Sequence, residues 1–124
     1  MAHAASELRG DRMTGFPKNV RDIVTLRAGG ACERCGLAAP AYQHHHRRPR
    51  GMGGSSAVGT NRASNALCVC IKCHAEIEAN REQAFEYGWL VRQGHDPVNT
   101  AVLLSGRWVV LDDFGYATPV EGCA

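Results

Sequence analysis

Two short cysteine pairs, Cys32-Glu33-Arg34-Cys35 and Cys70-Ile71-Lys72-Cys73, bracket three adjacent histidines, His44, His45 and His46, and the second pair runs directly into His74. Thiolates two apart chelate a metal through one turn, and two such pairs complete a tetrahedral four-sulfur shell of the kind zinc prefers. The 34 residues between the pairs exceed the usual interval of a zinc ribbon, so a second functional unit is expected inside the bracket. Redox cycling through either C-x-x-C is the competing reading, and both pairs suit zinc better. Cys68 does not share the mirrored spacing and is expected as a core thiol, with Cys123 incidental.

Imidazole is the side chain whose ordinary pKa lets it act near neutral pH as a metal ligand or a general base. Three histidines in a row, followed by Arg47, Arg48 and Arg50 and by Gly51, Gly53 and Gly54, do not make a plausible core. His74 and Glu78 stand four apart, so on a helix they share a face and can bind one ion together. Strict strand alternation would put His44 and His46 on one face and His45 on the other. A strand that ends or bulges at the pair would let His45 and His46 converge; a regular strand would make His44 the ligand candidate instead.

The elements that must position these groups can be sketched from the same chain. Residues 1–15 are expected as a flexible N-terminal tail. Pro17 suits a first helical turn, Val20, Ile23 and Val24 follow at helical spacing, and Gly29-Gly30 stops that helix. Cys32 to Gly36 reads as a tight knuckle and Ala41 to His46 as extended chain. Residues 47–64 carry four glycines and four arginines, which predicts a loop; one of that length inside a small domain is usually functional. Asn65 to Val69 returns as a second strand, and a helix begins near Ile71. Asn80 with Gln83 three residues on predicts a fresh cap and a short helix ending at Gly88. Beyond it, Trp89–Arg92, Ala101–Leu104 and Trp108–Leu111 read as strands, with Ser105-Gly106 as a hairpin turn.

Composition bounds the rest. One domain of 124 residues with 6% aromatic residues has a thin aliphatic core, for which a structural metal is the expected remedy. The net charge is +2, but residues 1–81 hold twelve Lys and Arg against six acids, and residues 82–124 hold two against six. The basic half carries most of the histidines and cysteines, which points to a polyanion on that face. Twelve of the fourteen cations are arginine, the residue that grips phosphate with a fork. No apolar run approaches the roughly 18 residues of a membrane helix, and no secretory pattern opens the chain. The expected setting is a reducing, cytoplasmic compartment.

The ordered set Cys-x-x-Cys, His45-His46-x-x-Pro49-Arg50-Gly51-x-Gly53-Gly54, Ser64-Asn65 and Cys70-x-x-Cys73-His74 resembles the HNH endonucleases with a ββα-metal site, most closely the small zinc-knuckle versions of bacteriophages and prophages. The resemblance covers about residues 16–81 and extends loosely to about 111. It implies an α+β fold: a ββα-metal domain over 16–88 with a structural zinc knuckle and an N-terminal helix, extended over 89–124 by a short C-terminal β-hairpin. It implies His46 as general base, Asn65 as the brace of the loop and of that base, and His45 and His74 as ligands of one catalytic divalent ion (Mg²⁺, Mn²⁺, Ni²⁺ or Zn²⁺). Glu78 stands where many relatives have a histidine ligand. Cys32, Cys35, Cys70 and Cys73 would hold the structural Zn²⁺. Arg47, Arg48, Arg50, Arg62 and Arg81 would grip the backbone of double-stranded DNA, with weak sequence specificity and strong salt dependence. A phage terminase or another packaging protein is the partner the resemblance suggests, in a bacterial host cytoplasm. The rival reading is a catalytically silent, zinc-containing DNA-binding module.

Overall fold

The computed structural model of the chain describes residues 15–49 and 60–120. Helix α1, Lys18–Ala28, starts after Pro17 in extended conformation and ends at Gly29, whose left-handed φ of 66° lets its amide reach back to the Thr25 carbonyl. Its apolar stripe of Val20, Ile23 and Val24 packs with Phe16, Ala63, Ala66 and Cys68. A knuckle follows, closed by the Gly36 amide on the Cys32 carbonyl at 2.8 Å.

Strands β1 (Tyr42–His46) and β2 (Ala66–Cys70) pair antiparallel, with His44 opposite Cys68 and His46 opposite Ala66. Every residue of β2 is buried, because both of its faces are covered. Alternation divides it: Ala66 and Cys68 face α1, while Leu67 and Val69 join the larger core with Ile77, Leu90, Val102 and Leu111. Helix α2, Ile71–Ala79, follows β2 without a loop. The Cys70 sulfur caps it by accepting the Cys73 amide. Asn80 then breaks the chain and caps α3, Arg81–Glu86, by accepting the Gln83 amide, the boundary its sequence predicted.

The C-terminal part is a three-stranded antiparallel sheet, β3 (Val102–Leu104), β4 (Arg107–Leu111) and β5 (Ala117–Pro119), with β4 central. Ser105 and Gly106, both at positive φ, form the tight β3–β4 turn. The expected hairpin is there and gains β5, whose proline sits on an edge strand where no ladder amide is needed. The expected strand at Trp89–Arg92 is absent. That segment directs its amides elsewhere, Leu90 to the Ala84 carbonyl and Val91 to the Arg47 carbonyl. Ahead of it, Gly88 passes so close to β3 that a Cβ would meet the Ala101 carbonyl oxygen at 2.1 Å. The whole is a small α+β domain in which residues 89–111 complete the core begun by β2 and α2.

A buried ion pair ties α1 to this frame. Arg27 grips Glu33 with two bonds of 2.7 and 2.8 Å and also donates to the Ala63 and Ala66 carbonyls, while Glu33 accepts the Cys68 amide. Both side chains are about 5% exposed or less. The extra backbone bonds offset the desolvation that makes most buried ion pairs costly. Among the described residues no helix is long and apolar enough to cross a membrane. The expected tail at 1–15 falls almost wholly outside the described residues, as do Arg50, Gly51, Gly53, Gly54 and Cys123.

Candidate functional site

The sulfurs of Cys32, Cys35, Cys70 and Cys73 lie within 4.8 Å of one another, a cluster that can hold a metal ion such as zinc. Cys32 and Cys35 come from the knuckle turn, Cys70 from the end of β2 and Cys73 from the first turn of α2. The two pairs are folded alike: the Cys35 amide points at the Cys32 sulfur and the Cys73 amide at the Cys70 sulfur. Arg34 donates to the Cys73 sulfur at 3.1 Å and to Glu76 at 2.6 Å, its guanidinium lying 4.2 Å over the Trp89 ring. Burial pushes the Cys73 thiol up to about 12. Burial also raises Cys32, but backbone amides around it outweigh that and bring it down to about 7. A divalent ion held by such a cluster would deprotonate the thiols that are still neutral, Cys73 among them, and bind all four. Cys68 stands apart from the cluster, its pKa raised to about 11 by burial.

A second cluster joins His45, His74 and Glu78, again with one ligand atom from each within 4.8 Å of the others. Strand β1 is regular through His46, and α2 lies on the face that alternation gives to His45. The regular strand therefore brings His45, not His44, to His74; His44 faces α1, with Nε2 3.4 Å from the Thr25 hydroxyl. His45 is 3% exposed and its Nε2 lies 2.8 Å from the Trp89 carbonyl. A carbonyl only accepts, so Nε2 carries the proton and Nδ1 the lone pair. Burial pushes the pKa of His45 down to about 4, which keeps it neutral. The His74 ring meets the His45 ring edge-on at 5.2 Å, and its Nδ1 bonds the side-chain oxygen of Gln43. Glu78, one helical turn on and exposed, accepts from Arg81 at 2.7 Å.

His46 leaves the strand on the opposite face from His45, with no bulge to turn the two together. Its ring stacks on Phe16 at 3.9 Å and 14°, and its Nε2 lies 3.1 Å from the Asn61 side-chain oxygen. Asn65, fully buried, accepts the Arg48 amide at 2.7 Å and donates to the carbonyls of Arg48 and Thr60. Its side chain thus clips together the two ends of the segment between those residues.

The arginines divide. Arg47, expected as a backbone grip, is fully buried: its guanidinium donates to the carbonyls of Gly88, Ser64, Pro97 and Thr100. Burial pulls its pKa down to about 9, and it stays charged at neutral pH. It is a structural crosslink and cannot reach a phosphate. Arg48 donates to the His95 carbonyl at the surface. Arg62 is 3.4 Å from Asp113, which also accepts from the Ser64 hydroxyl and amide. Arg81 is half exposed beside Glu78. Sequence reading missed Gln43, Asn61, Phe16 and Asp113. Of these, Gln43 could have been found, because period-two alternation puts it on the face of His45.

No protein-family model matches the chain, nor does any curated protein or solved structure.

Proposed function

We propose that this protein is a metal-dependent endonuclease of the HNH type, hydrolysing phosphodiester bonds of double-stranded DNA with little sequence preference. The observation that carries the reading is the convergence of His45, His74 and Glu78 where β1 meets α2, with His46 the following residue on the other face of the strand. One divalent ion would be held there by His45 Nδ1, His74 Nε2 and the Glu78 carboxylate. When bound, it would supply Lewis-acid stabilisation of the charge that develops on the phosphate. The structural zinc would sit in the four-cysteine cluster and contribute folding free energy.

The chain's own groups perform the remaining work. His46, whose Nε2 lies 3.1 Å from the Asn61 side-chain oxygen, would be the base. His46 takes a proton from water, the water oxygen bonds to phosphorus, and the bond to the 3′ oxygen breaks. That oxygen gains a proton from solvent, giving 5′-phosphate and 3′-hydroxyl ends. Asn65 ties Arg48 to Thr60, and Arg48, Arg62 and Arg81 supply cations for the flanking phosphates.

The test is plasmid cleavage with Mg²⁺, Mn²⁺ or Ni²⁺, with and without chelator, by wild type and His46→Ala. Metal-dependent nicking that falls by at least about 100-fold in His46→Ala is expected. Undiminished cutting by the variant removes the mechanism. Tight DNA binding without cutting under any metal leaves the accessory DNA-binding module.

A further inference from the structure

We infer that Gln43 is a positioning residue of the second cluster: its side-chain carbonyl fixes the tautomer and ring angle of His74, so that Nε2 is presented to His45 and Glu78. The inference rests on the metal-centre reading above and adds to it a residue outside the ligand set.

A neutral imidazole carries its proton on either nitrogen, and only the bare nitrogen can ligate. A histidine ligand therefore needs an acceptor on its other nitrogen, and such partners commonly set ring orientation and basicity. In this site the two imidazoles have different acceptors. The Trp89 carbonyl takes the Nε2 proton of His45, and the Gln43 oxygen takes the Nδ1 proton of His74. The bare nitrogens are then Nδ1 on His45 and Nε2 on His74, one from each side of the cluster. Gln43 reaches α2 because it precedes His45 by two residues on a regular strand, opposite Val69. It is exposed, so core packing does not explain its place.

Zinc-loaded protein is titrated with Mn²⁺, followed by the resonance of the free ion, and with Ni²⁺ by calorimetry. Wild type is compared with Gln43→Leu, of similar size without an acceptor, and Gln43→Glu, which keeps one. The leucine variant should bind about 10- to 100-fold more weakly, and the glutamate variant should recover wild-type affinity or better. Imidazole nitrogen shifts should report the Nδ1–H form of His74 in wild type and a mixture of tautomers in the leucine variant. A leucine variant that binds as tightly as wild type and keeps that tautomer overturns the role of Gln43 while leaving the centre intact. Wild type that takes up neither ion removes the centre, and this inference with it.

Discussion

Replacing Arg47 by Met keeps most of the side-chain volume and removes every donor. Four carbonyls lose a partner; that of Pro97 also accepts the Thr100 amide, which leaves three to count. An acceptor stranded in the interior costs about 1–3 kcal/mol, or about 3–9 kcal/mol for three. The substitution also relieves the burial of a charged guanidinium, a penalty of several kcal/mol that shows in its depressed pKa. The net expectation is a loss of about 3–5 kcal/mol, a large share of the stability of a domain this size. Urea unfolding of the zinc-loaded protein, followed by the fluorescence of Trp89 and Trp108, measures it through the midpoint at constant slope. On the proposed function, the salt dependence of DNA binding by the variant that remains folded should be unchanged, since the guanidinium has no route to phosphate. A stability loss below about 1 kcal/mol, or a salt slope reduced by about one unit, would refute the reasoning.

Two further outcomes follow from the same geometry. His45 has a folded pKa of about 4 against 6.5 for the free side chain, so the unfolded chain binds more protons between those values and stability must fall as pH falls through that window. The metal-free protein should lose about 2 kcal/mol between pH 7.5 and pH 5, and His45→Gln should flatten that profile; His44, also pulled down by burial, keeps part of the slope. A wild-type curve that is flat over this range would contradict the burial of His45. Asn65→Ala removes three bonds to Arg48 and Thr60 and should cost about 2–4 kcal/mol, with faster proteolysis between residues 49 and 60. Cleavage there at the wild-type rate would show that the clip is not what secures the segment.

What could be read from the chain beforehand was what short covalent spacing controls. Cysteines two apart, the glycine after α1 and the Asn80 cap each act within a turn or two of themselves, so the knuckle, α1 and the α2–α3 break stood out. The four-cysteine cluster and the pairing of His74 with Glu78 follow from such spacings once one strand returns beside another. Long-range packing was not legible. Whether a cation after a strand points out or in depends on which carbonyls the rest of the fold leaves unpaired, and for Arg47 these come from residues 17 to 53 positions away. Trp89–Arg92 has the composition of a strand and no neighbour to pair with, whereas Ala117–Pro119 is too short and too exposed to announce itself. The choice of His45 over His44 turned on the side from which α2 packs. Alternation restricts that to two answers and cannot select one.

The clip at Asn65 closes the protein at the base of the Arg48–Thr60 segment, independently of what lies between. Lengthening a segment whose ends are held together costs only a logarithmic entropy, about 0.6 kcal/mol for each doubling. That is less than one of the buried hydrogen bonds that hold its ends. Substitution or insertion between Arg48 and Thr60 can therefore leave the hairpin, α2 and both side-chain clusters as they are. Such a division separates the part of the chain that holds the fold from a part whose length can change at small cost.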